Sequence, residues 1–361
     1  MKIHNKGNKP DNILLNEQNM IDKVDQIQKS LPNFMRDYFS YLKTSVSITT
    51  RIAYLNDIVF YLEYLILDEP SIDTIKNVPL SMLNDFTAQD FNFFIAEYCS
   101  RYEVNHNGQR VIYENSNTTL SRKKSSVMSL LKFLYRNGQI DNNISDGLNP
   151  IKLPKKSPDS IKKLTIEEAE NLIYIVSTGE GLTKKENDFW ELTKKRDKLI
   201  ILFFIIYGLR ISELEALNIS SFNFSRSEYT IFRKRGKEVE MPLDPKLKAL
   251  VFDYIESERT NIKTEEEDAL FLSTQGTRLT KRAIQNLIKK YTSIAMGTTR
   301  NNGYSPHKLR ATAASSMIEK GFSIYDVQNL LDHDNVTTTQ LYAAHKKNAK
   351  KEIINKLDWI D

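Results

Sequence analysis

Apolar residues recur at three- and four-residue steps through the first third of the chain, a spacing typical of amphipathic helices. The pattern covers residues 16–137 and predicts four helices, with apolar positions at 31–42, 52–62, 86–98 and 120–135. Gly138 is expected to end the fourth helix, because glycine accepts the left-handed conformation found just past a helix end. The polar segment 101–117 is expected to be a loop, and the polar residues 1–15 to be a disordered tail.

The helical pattern ends before Pro150, Pro154 and Pro158, because proline disrupts a helix. The surrounding segment, residues 147–163, also carries five lysines. A chain of 361 residues favours two domains. We therefore expect a helical domain at 16–146 and a basic linker at 147–163, which is either a strap that contacts DNA or a plain solvated spacer.

The second half mixes helical and alternating patterns. Thr165 is expected to start a helix, and a charged insertion at 179–196 is expected to precede a buried helix at 197–207. Residues 228–243 alternate between polar and apolar on both sides of Gly236, which predicts a β-hairpin. The sequence therefore predicts a mainly α-helical protein with a small antiparallel β-sheet.

Charge and cysteine content narrow the function only slightly. The formal net charge is +5, and the excess lies in residues 151–361, with 35 Lys and Arg against 29 Asp and Glu. A basic surface is expected of a nucleic-acid partner, but this excess is small. Cys99 is the only cysteine, which suits a reducing cytosol and excludes a thiolate metal cluster. The longest apolar run, 199–207, is too short to span a bilayer, so we expect a cytoplasmic protein without a membrane partner.

Six polar residues of the second half together supply the groups needed to cut and rejoin a phosphodiester. They are Arg210, Lys234, His307, Arg310, His333 and Tyr342. Two guanidinium groups can hold a phosphate, the histidines and the lysine can carry protons, and the phenol can act as a nucleophile. This chemistry requires neither a metal nor another cofactor.

Each of these residues also has a simpler structural explanation. Arg210 follows the helix-ending Gly208, and an ion pair with Glu213 explains it as well as a phosphate does. His307 and Arg310 share a face of a helix that Ser305 and Pro306 are expected to start, where free N–H groups also attract anions.

Two lysine- and arginine-rich clusters are candidate DNA contacts, although solvated charges explain both. The first is Arg122, Lys123 and Lys124 on the fourth predicted helix. The second is the hairpin turn with Arg233, Lys234, Arg235 and Lys237. Lys155 and Lys156 of the linker complete the predicted DNA-binding residues.

The order and spacing of the six residues resemble those of the tyrosine recombinase (phage-integrase-type) family over residues 160–345. GLRISEL resembles its first arginine motif, HKLR its His-x-x-Arg motif, and LLDHDNVTTTQLY its third motif with the tyrosine. Two positions depart from the family: Ala311 replaces a frequent histidine, and Asp332 replaces the usual glycine before the motif histidine. We expect neither departure to matter for catalysis. The turn leaves Lys237 as a rival to Lys234 for the catalytic lysine.

The resemblance implies a helical core-binding (SAM-like) domain, a mixed α/β catalytic domain at 164–345 and a tail helix at 346–361 for protomer contacts. It implies that Tyr342 forms a 3′-phosphotyrosyl intermediate while Arg210 and Arg310 stabilise the phosphate. His307 and Lys234 would move protons, His333 would hydrogen-bond the phosphate, and Glu213 would orient these groups. The single N-terminal domain resembles the Xer group, and within it the XerS subgroup.

The expected partners are a double-stranded DNA recombination site and three further copies of the chain, in a homotetramer on two sites. Chromosome dimer resolution is the leading role, and an accessory protein is left open. The alternatives are a phage or mobile-element integrase, a type IB-like DNA topoisomerase, and a DNA-binding protein without catalysis. A metal hydrolase is disfavoured because no His, Asp and Glu cluster has ligand spacing.

Overall fold

The protein is seen in a computed structural model that describes residues 9–154, 162–233 and 236–332. It has two compact units, Met1–Lys155 and Lys156–Asp361. Over these residues both units are mainly helical, and each has a small antiparallel sheet. The predicted fold class, mainly α with a small antiparallel β-sheet, is therefore confirmed.

Helices build the N-terminal unit around a core of aromatic rings. The helices are α1 (Asp11–Lys29), α2 (Arg36–Ser45), α3 (Ile48–Leu65), α4 (Leu80–Asn84), α5 (Ala88–Phe93) and α6 (Asn117–Arg136). Helix α3 packs against α1 and α6. Tyr38, Tyr61, Phe91 and Phe94 are among the largest fully buried side chains of this core. The periodic positions identified in the sequence thus form the interior of this unit.

Two expectations for this unit need correction. Residues 11–15 belong to α1 rather than to a disordered tail, and residues 1–8 lie outside the described part. The expected loop at 101–117 contains a β-hairpin, in which β1 (Arg101–His106) pairs with β2 (Gln109–Glu114). Its turn is Asn107–Gly108, and both residues have positive φ, of 50° and 83°. Asn-Gly favours tight hairpin turns, so the local signal for this hairpin was present in the sequence.

The described residues of the C-terminal unit form seven further helices and a three-stranded sheet. The helices are α7 (Ile166–Thr178), α8 (Lys184–Tyr207), α9 (Ile211–Glu215), α10 (Pro245–Asp253), α11 (Lys281–Ala295), α12 (Pro306–Glu319) and α13 (Ile324–Leu331). Thr165 caps α7 through a reciprocal hydrogen-bond pair with Glu168, as expected of a helix start there. None of the helices in the described ranges is both long and apolar enough to cross a membrane.

The charged insertion expected at 179–196 is instead mostly the first half of α8. Thr183 and Glu186 cap the start of this helix reciprocally, so it begins well before residue 197. Its inward positions include Trp190, Arg196 and Asp197, which are buried, while neighbouring charged residues face solvent. The run of charges hid this amphipathic pattern because two of the buried positions are themselves charged.

The predicted hairpin at 228–243 is confirmed and forms part of a sheet in the order β3–β4–β5. Strand β4 (Glu228–Phe232) pairs with β5 (Glu238–Pro242), and the short β3 (Phe222–Asn223) pairs with β4. Gly236, in the turn, has a φ of 73°. Lys234 and Arg235 lie outside the described residues.

Candidate active site

The turn that ends α8 lies against α12 and α13. Gly208 caps this helix in the left-handed conformation, with a φ of 58°. A Cβ at this position would lie 2.6 Å from Cδ2 of Leu331, so a side chain here would collide with the end of α13. Glycine therefore allows α13 to approach the turn that leads into Arg210.

Arg210 stands directly before α9 and is held by Glu213. Its Nη1 donates to Glu213 Oε1 at 2.8 Å, and its backbone N–H donates to Oε2, also at 2.8 Å. Glu213 is buried, so this carboxylate fixes both the main chain and the side chain of Arg210. The ion pair expected from the sequence is thus present. The second guanidinium nitrogen, Nη2, donates to the main-chain oxygen of Asp332 at 2.6 Å.

Arg310 approaches the same place from the first turns of α12. As predicted, Ser305 and Pro306 begin this helix. Arg310 is only 4% exposed. Its Nη1 donates to the carbonyl of Gly208 at 2.6 Å, and its Nη2 donates to the carbonyl of Leu331. One guanidinium therefore links the ends of α8 and α13.

His307 lies one turn before Arg310, on the exposed side of α12. Partial desolvation of the ring and the positive charge of Arg310 lower the pKa of this histidine. A lowered pKa favours the neutral imidazole at pH 7, which can accept a proton.

Arg210 and Arg310 thus donate to the consecutive carbonyls of Asp332 and Leu331. Two positive charges from distant parts of the sequence lie at one point, where α13 ends. Guanidinium groups fixed in advance are suited to a phosphate whose negative charge grows during a reaction, because they need no reorganisation.

Asp332 adds a carboxylate at the same point. Its Oδ1 lies 3.2 Å from Nζ of Lys237 and 3.8 Å from Nη1 of Arg233, and its Oδ2 lies 3.8 Å from Nη1 of Arg210. Desolvation raises the pKa of Asp332, but the hydrogen bond from Lys237 and the charges of Arg233, Lys237 and Arg210 outweigh it and lower the pKa overall. Asp332 is therefore ionised at neutral pH.

Arg233 does not occupy the exposed turn that the sequence suggested. Its side chain is buried, and its Nη2 donates to the carbonyl of Leu330. Arg233 is therefore not one of the solvated charges of the turn. Nη1 of Arg233 lies 3.8 Å from Oδ1 of Asp332. A direct contact between Arg233 and DNA stays a prediction.

A model of the phage integrase family matches residues 162–349. The chain belongs to the phage integrase family. The matched stretch includes Arg210, His307 and Arg310, as well as His333 and Tyr342. The last two lie outside the described residues, as do Lys234, Arg235, Lys155 and Lys156.

The curated relatives of this integrase-family protein include Xer recombinases. The tyrosine recombinase XerC of Natranaerobius thermophilus is 34% identical over 68% of this chain and 77% of its own. The tyrosine recombinase XerS of Streptococcus agalactiae is 27% identical over 94% of this chain and 99% of its own. These relatives confirm the prediction of a Xer-like, XerS-like tyrosine recombinase.

A solved structure of XerH recombinase bound to its difH substrate shares the fold, with a TM-score of 0.57. Its identity to this chain is 18%, and the match covers 85% of this chain and 79% of that one.

The basic residues on α6 of this recombinase divide into buried and exposed ones. Lys123 is 7% exposed, and its Nζ lies 3.7 Å from the centre of the Phe60 ring and 3.7 Å from Oδ1 of Asp57. The predicted phosphate contact is therefore corrected for Lys123, since its charge is directed into the core. Arg122 is exposed and also pairs with Asp57. Lys124 donates to the carbonyl of Asn149 at 2.6 Å, and desolvation lowers its pKa.

Two carboxylates that pair with the candidate site's cations were not predicted from the sequence: Asp57, which pairs with Arg122 and Lys123, and Asp332, which pairs with Arg210, Arg233 and Lys237. Asp57 is buried on α3 and accepts from Arg122 and from Oγ of Ser126, the latter at 2.8 Å. Asp332 stands where the family pattern has a glycine, and a charged residue at such a position is itself a local signal. The described residues contain no group of three or more His, Cys, Asp or Glu placed to hold a metal ion.

Proposed function

We propose that this protein is a site-specific tyrosine recombinase of the Xer type, which cuts and rejoins DNA through a 3′-phosphotyrosyl intermediate on Tyr342. One observation carries the proposal. Arg210 and Arg310 are locked onto consecutive carbonyls at the end of α13, and His333 is the next residue in the chain. Two fixed guanidinium groups suit the charge that develops on a phosphate in a displacement reaction.

The proposed reaction is an exchange of ester bonds. The phenolic oxygen of Tyr342 forms a bond to phosphorus as the bond from phosphorus to the 5′ oxygen breaks. His307 takes the phenolic proton, for which its lowered pKa is suited. Lys234 or Lys237 protonates the 5′ oxygen, and His333 hydrogen-bonds the phosphate. A 5′-hydroxyl of a second strand then reverses these steps, so the number of phosphodiester bonds is conserved and no ATP is consumed.

Double-stranded DNA is the proposed partner. The XerH structure contains a related fold on its difH substrate, and the C-terminal half of this chain carries the excess of positive charge. Arg122 is the exposed cation of the α6 cluster, and Lys124 lies beside it. Arg235, Lys155 and Lys156 remain proposed contacts outside the described residues. Chromosome dimer resolution is the proposed role, and housekeeping genes rather than phage genes beside this gene would support it.

The test begins with a duplex selected from a random-sequence library by the full-length protein. We expect the wild-type protein to form a covalent adduct with this duplex without ATP. Peptide mapping should locate the adduct on Tyr342, and sequencing of the other strand fragment should show a free 5′-hydroxyl. An adduct on another residue, or a 5′ linkage, would contradict the proposal. A plasmid without the selected site should stay supercoiled, whereas a type IB-like topoisomerase would relax it.

Recombination also requires that protomers assemble, and an apolar groove in the C-terminal unit is the proposed docking surface. This groove has a volume of about 720 Å³ and is formed mainly by α7, α8, α12 and α13. Its apolar lining includes Ile166, Ile173, Ile206, Met317, Phe322 and Val327. Glu170 and Asp326 add acidic groups at the same surface.

The tail at 346–361 matches this groove in chemistry. It contains the apolar residues Ile353, Ile354, Leu357 and Ile360 together with lysines such as Lys350 and Lys356. Apolar residues suit the lining, and lysines suit the acidic groups. We propose that the tail of one protomer occupies the groove of the next in a homotetramer on two DNA sites.

Phe322→Glu should therefore weaken assembly by about tenfold, because central apolar contacts dominate the affinity of such interfaces. Phe322 is 59% exposed, so the change should leave the fold intact. The measurement is the fraction of paired-site complexes at increasing protein concentration, with single-site binding recorded in parallel. Tyr325→Glu is the matched control, since Tyr325 is 70% exposed but does not line the groove. Equal losses for both variants, or no loss for Phe322→Glu and for deletion of residues 348–361, would rule out the docking model.

A further inference from the structure

Asp332 meets a backbone requirement that usually selects glycine. Its φ and ψ are 52° and 55°, in the left-handed region. Glycine occupies this conformation freely, and aspartate and asparagine tolerate it better than other side chains. The resemblance to the family places a glycine here. Aspartate therefore keeps the turn and adds a negative charge that the turn itself does not need.

This charge faces three cations, which we call the cation set: Arg210, Arg233 and Lys237. The carboxylate oxygens of Asp332 lie 3.2 to 3.8 Å from a nitrogen of each. The three side chains come from the α8–α9 junction and from both sides of the β4–β5 turn, so Asp332 is the anion on which they converge. The buried Arg233 is not fully satisfied by its surroundings, because its Nε has no hydrogen-bond acceptor in the described part of the chain.

We propose that the Asp332 carboxylate is an internal anion that occupies the cation set in the DNA-free enzyme and competes there with the scissile phosphate. Asp332 is thus a positioning residue that acts through Arg210, Arg233 and Lys237. The proposal rests on the function proposed above, in which Arg210 holds that phosphate.

Two physical consequences follow from this competition. Without DNA, the carboxylate compensates the buried charge of Arg233, which would otherwise be costly. With DNA, a phosphate next to Arg210 must displace or repel the carboxylate, whose side chain is 26% exposed. The apparent affinity for DNA equals the intrinsic affinity multiplied by the fraction of molecules in which the carboxylate does not occupy the cation set.

The experiment measures equilibrium binding to the selected duplex in a Tyr342→Phe background, which prevents cleavage. Two versions of the duplex are used: one natural, and one with an uncharged methylphosphonate at the scissile position located by adduct mapping. Asp332→Asn removes the charge but keeps a side chain of the same shape that tolerates the left-handed turn. We expect it to bind the natural duplex about five- to tenfold more tightly than the parent. On the methylphosphonate duplex this gain should fall below about twofold, because the competing charge is gone.

Glu240→Gln on β5 is the control for a change in net charge. Glu240 is exposed and lies outside the cation set, so its removal should change binding to both duplexes equally and slightly. An equal gain on both duplexes for Asp332→Asn would overturn the proposal, since only a general charge effect would remain. Weaker binding by Asp332→Asn would also overturn it, because the carboxylate would then support phosphate binding.

A second variant protects the test against misfolding. Asp332→Gly restores the residue usual in the family and should reproduce the discrimination between the two duplexes. If neither variant discriminates while the wild-type protein still forms its Tyr342 adduct, the inference fails and the proposed function stands. If the wild-type protein forms no adduct, the proposed function itself fails.

Discussion

Replacing Arg310 with alanine is expected to slow formation of the covalent DNA adduct by about a thousandfold, the loss typical when a preorganised donor to a reacting oxygen is removed. Arg310 is buried and donates to Gly208 and Leu331, so its position is set before DNA arrives. The alanine variant loses the positive charge and also the link between the ends of α8 and α13. The measurement is the single-turnover rate of adduct formation with saturating protein.

Arg310→Lys separates charge from geometry. Lysine retains a positive charge, but one ammonium group cannot reproduce the planar fork that reaches two carbonyls in different directions. We therefore expect a loss of about a hundredfold rather than near-recovery. Arg300→Ala removes an arginine that pairs with Glu186 away from this site, and its rate should match that of the wild type. A rate for Arg310→Ala within threefold of the wild type would remove Arg310 from the catalytic machinery.

Asp197→Ala is expected to destabilise the C-terminal unit by about 3–5 kcal/mol, because it leaves a buried charge without its partner. Asp197 is buried on α8 and accepts from Arg196 Nη2 at 2.8 Å and from the hydroxyl of Tyr291 at 2.8 Å. Burial, followed by the charge of Asp197, raises the pKa of Tyr291, so this phenol remains a donor. Without the carboxylate, the guanidinium of Arg196 and the Tyr291 hydroxyl both lose an acceptor inside the core.

Urea unfolding followed by tryptophan fluorescence measures this effect. Both tryptophans, Trp190 and Trp359, belong to the C-terminal unit, so the signal is specific to it. Asp253→Ala provides the control: Asp253 forms a surface ion pair with Lys195, and its loss should cost under about 1 kcal/mol. Similar midpoints for Asp197→Ala and the wild type would show that the Arg196 charge finds another partner.

Sequence reasoning located the elements of the site where local chemistry determines them. Gly208 ends α8 because it is free to adopt a positive φ, and Ser305 with Pro306 begins α12. These two helix ends place Arg210 and Arg310 near each other. Their grouping was predicted from the order of the motifs. The carbonyls that accept from them, those of Gly208, Leu331 and Asp332, are visible only in the folded chain.

Buried charges were the main source of error. Lys123, Arg196 and Arg233 are interior residues, although each lies in a charged run that suggested solvent. For two of them, burial depends on a partner that is distant in the sequence. Lys123 pairs with Asp57, and Arg233 pairs with Asp332. The pattern of one segment contains no information about such a partner. A single charged residue at a position that favours glycine was the one local signal of this arrangement.

The contacts between α12 and α13 give the arginine site a stability of its own. Ala311, Ala314, Ile318, Val327 and Leu331 form a small apolar cluster separate from the main core of the unit. Helix α13 has eight residues; the carbonyl of its last residue, Leu331, accepts from Arg310, and that of the following Asp332 accepts from Arg210. Local opening of α13 would therefore remove one acceptor from each guanidinium while the main core stays folded, leaving Arg210 with Glu213 and Arg310 with Gly208. We therefore expect local opening of α13 to reduce the fraction of molecules ready to react under conditions in which the unit is still globally folded.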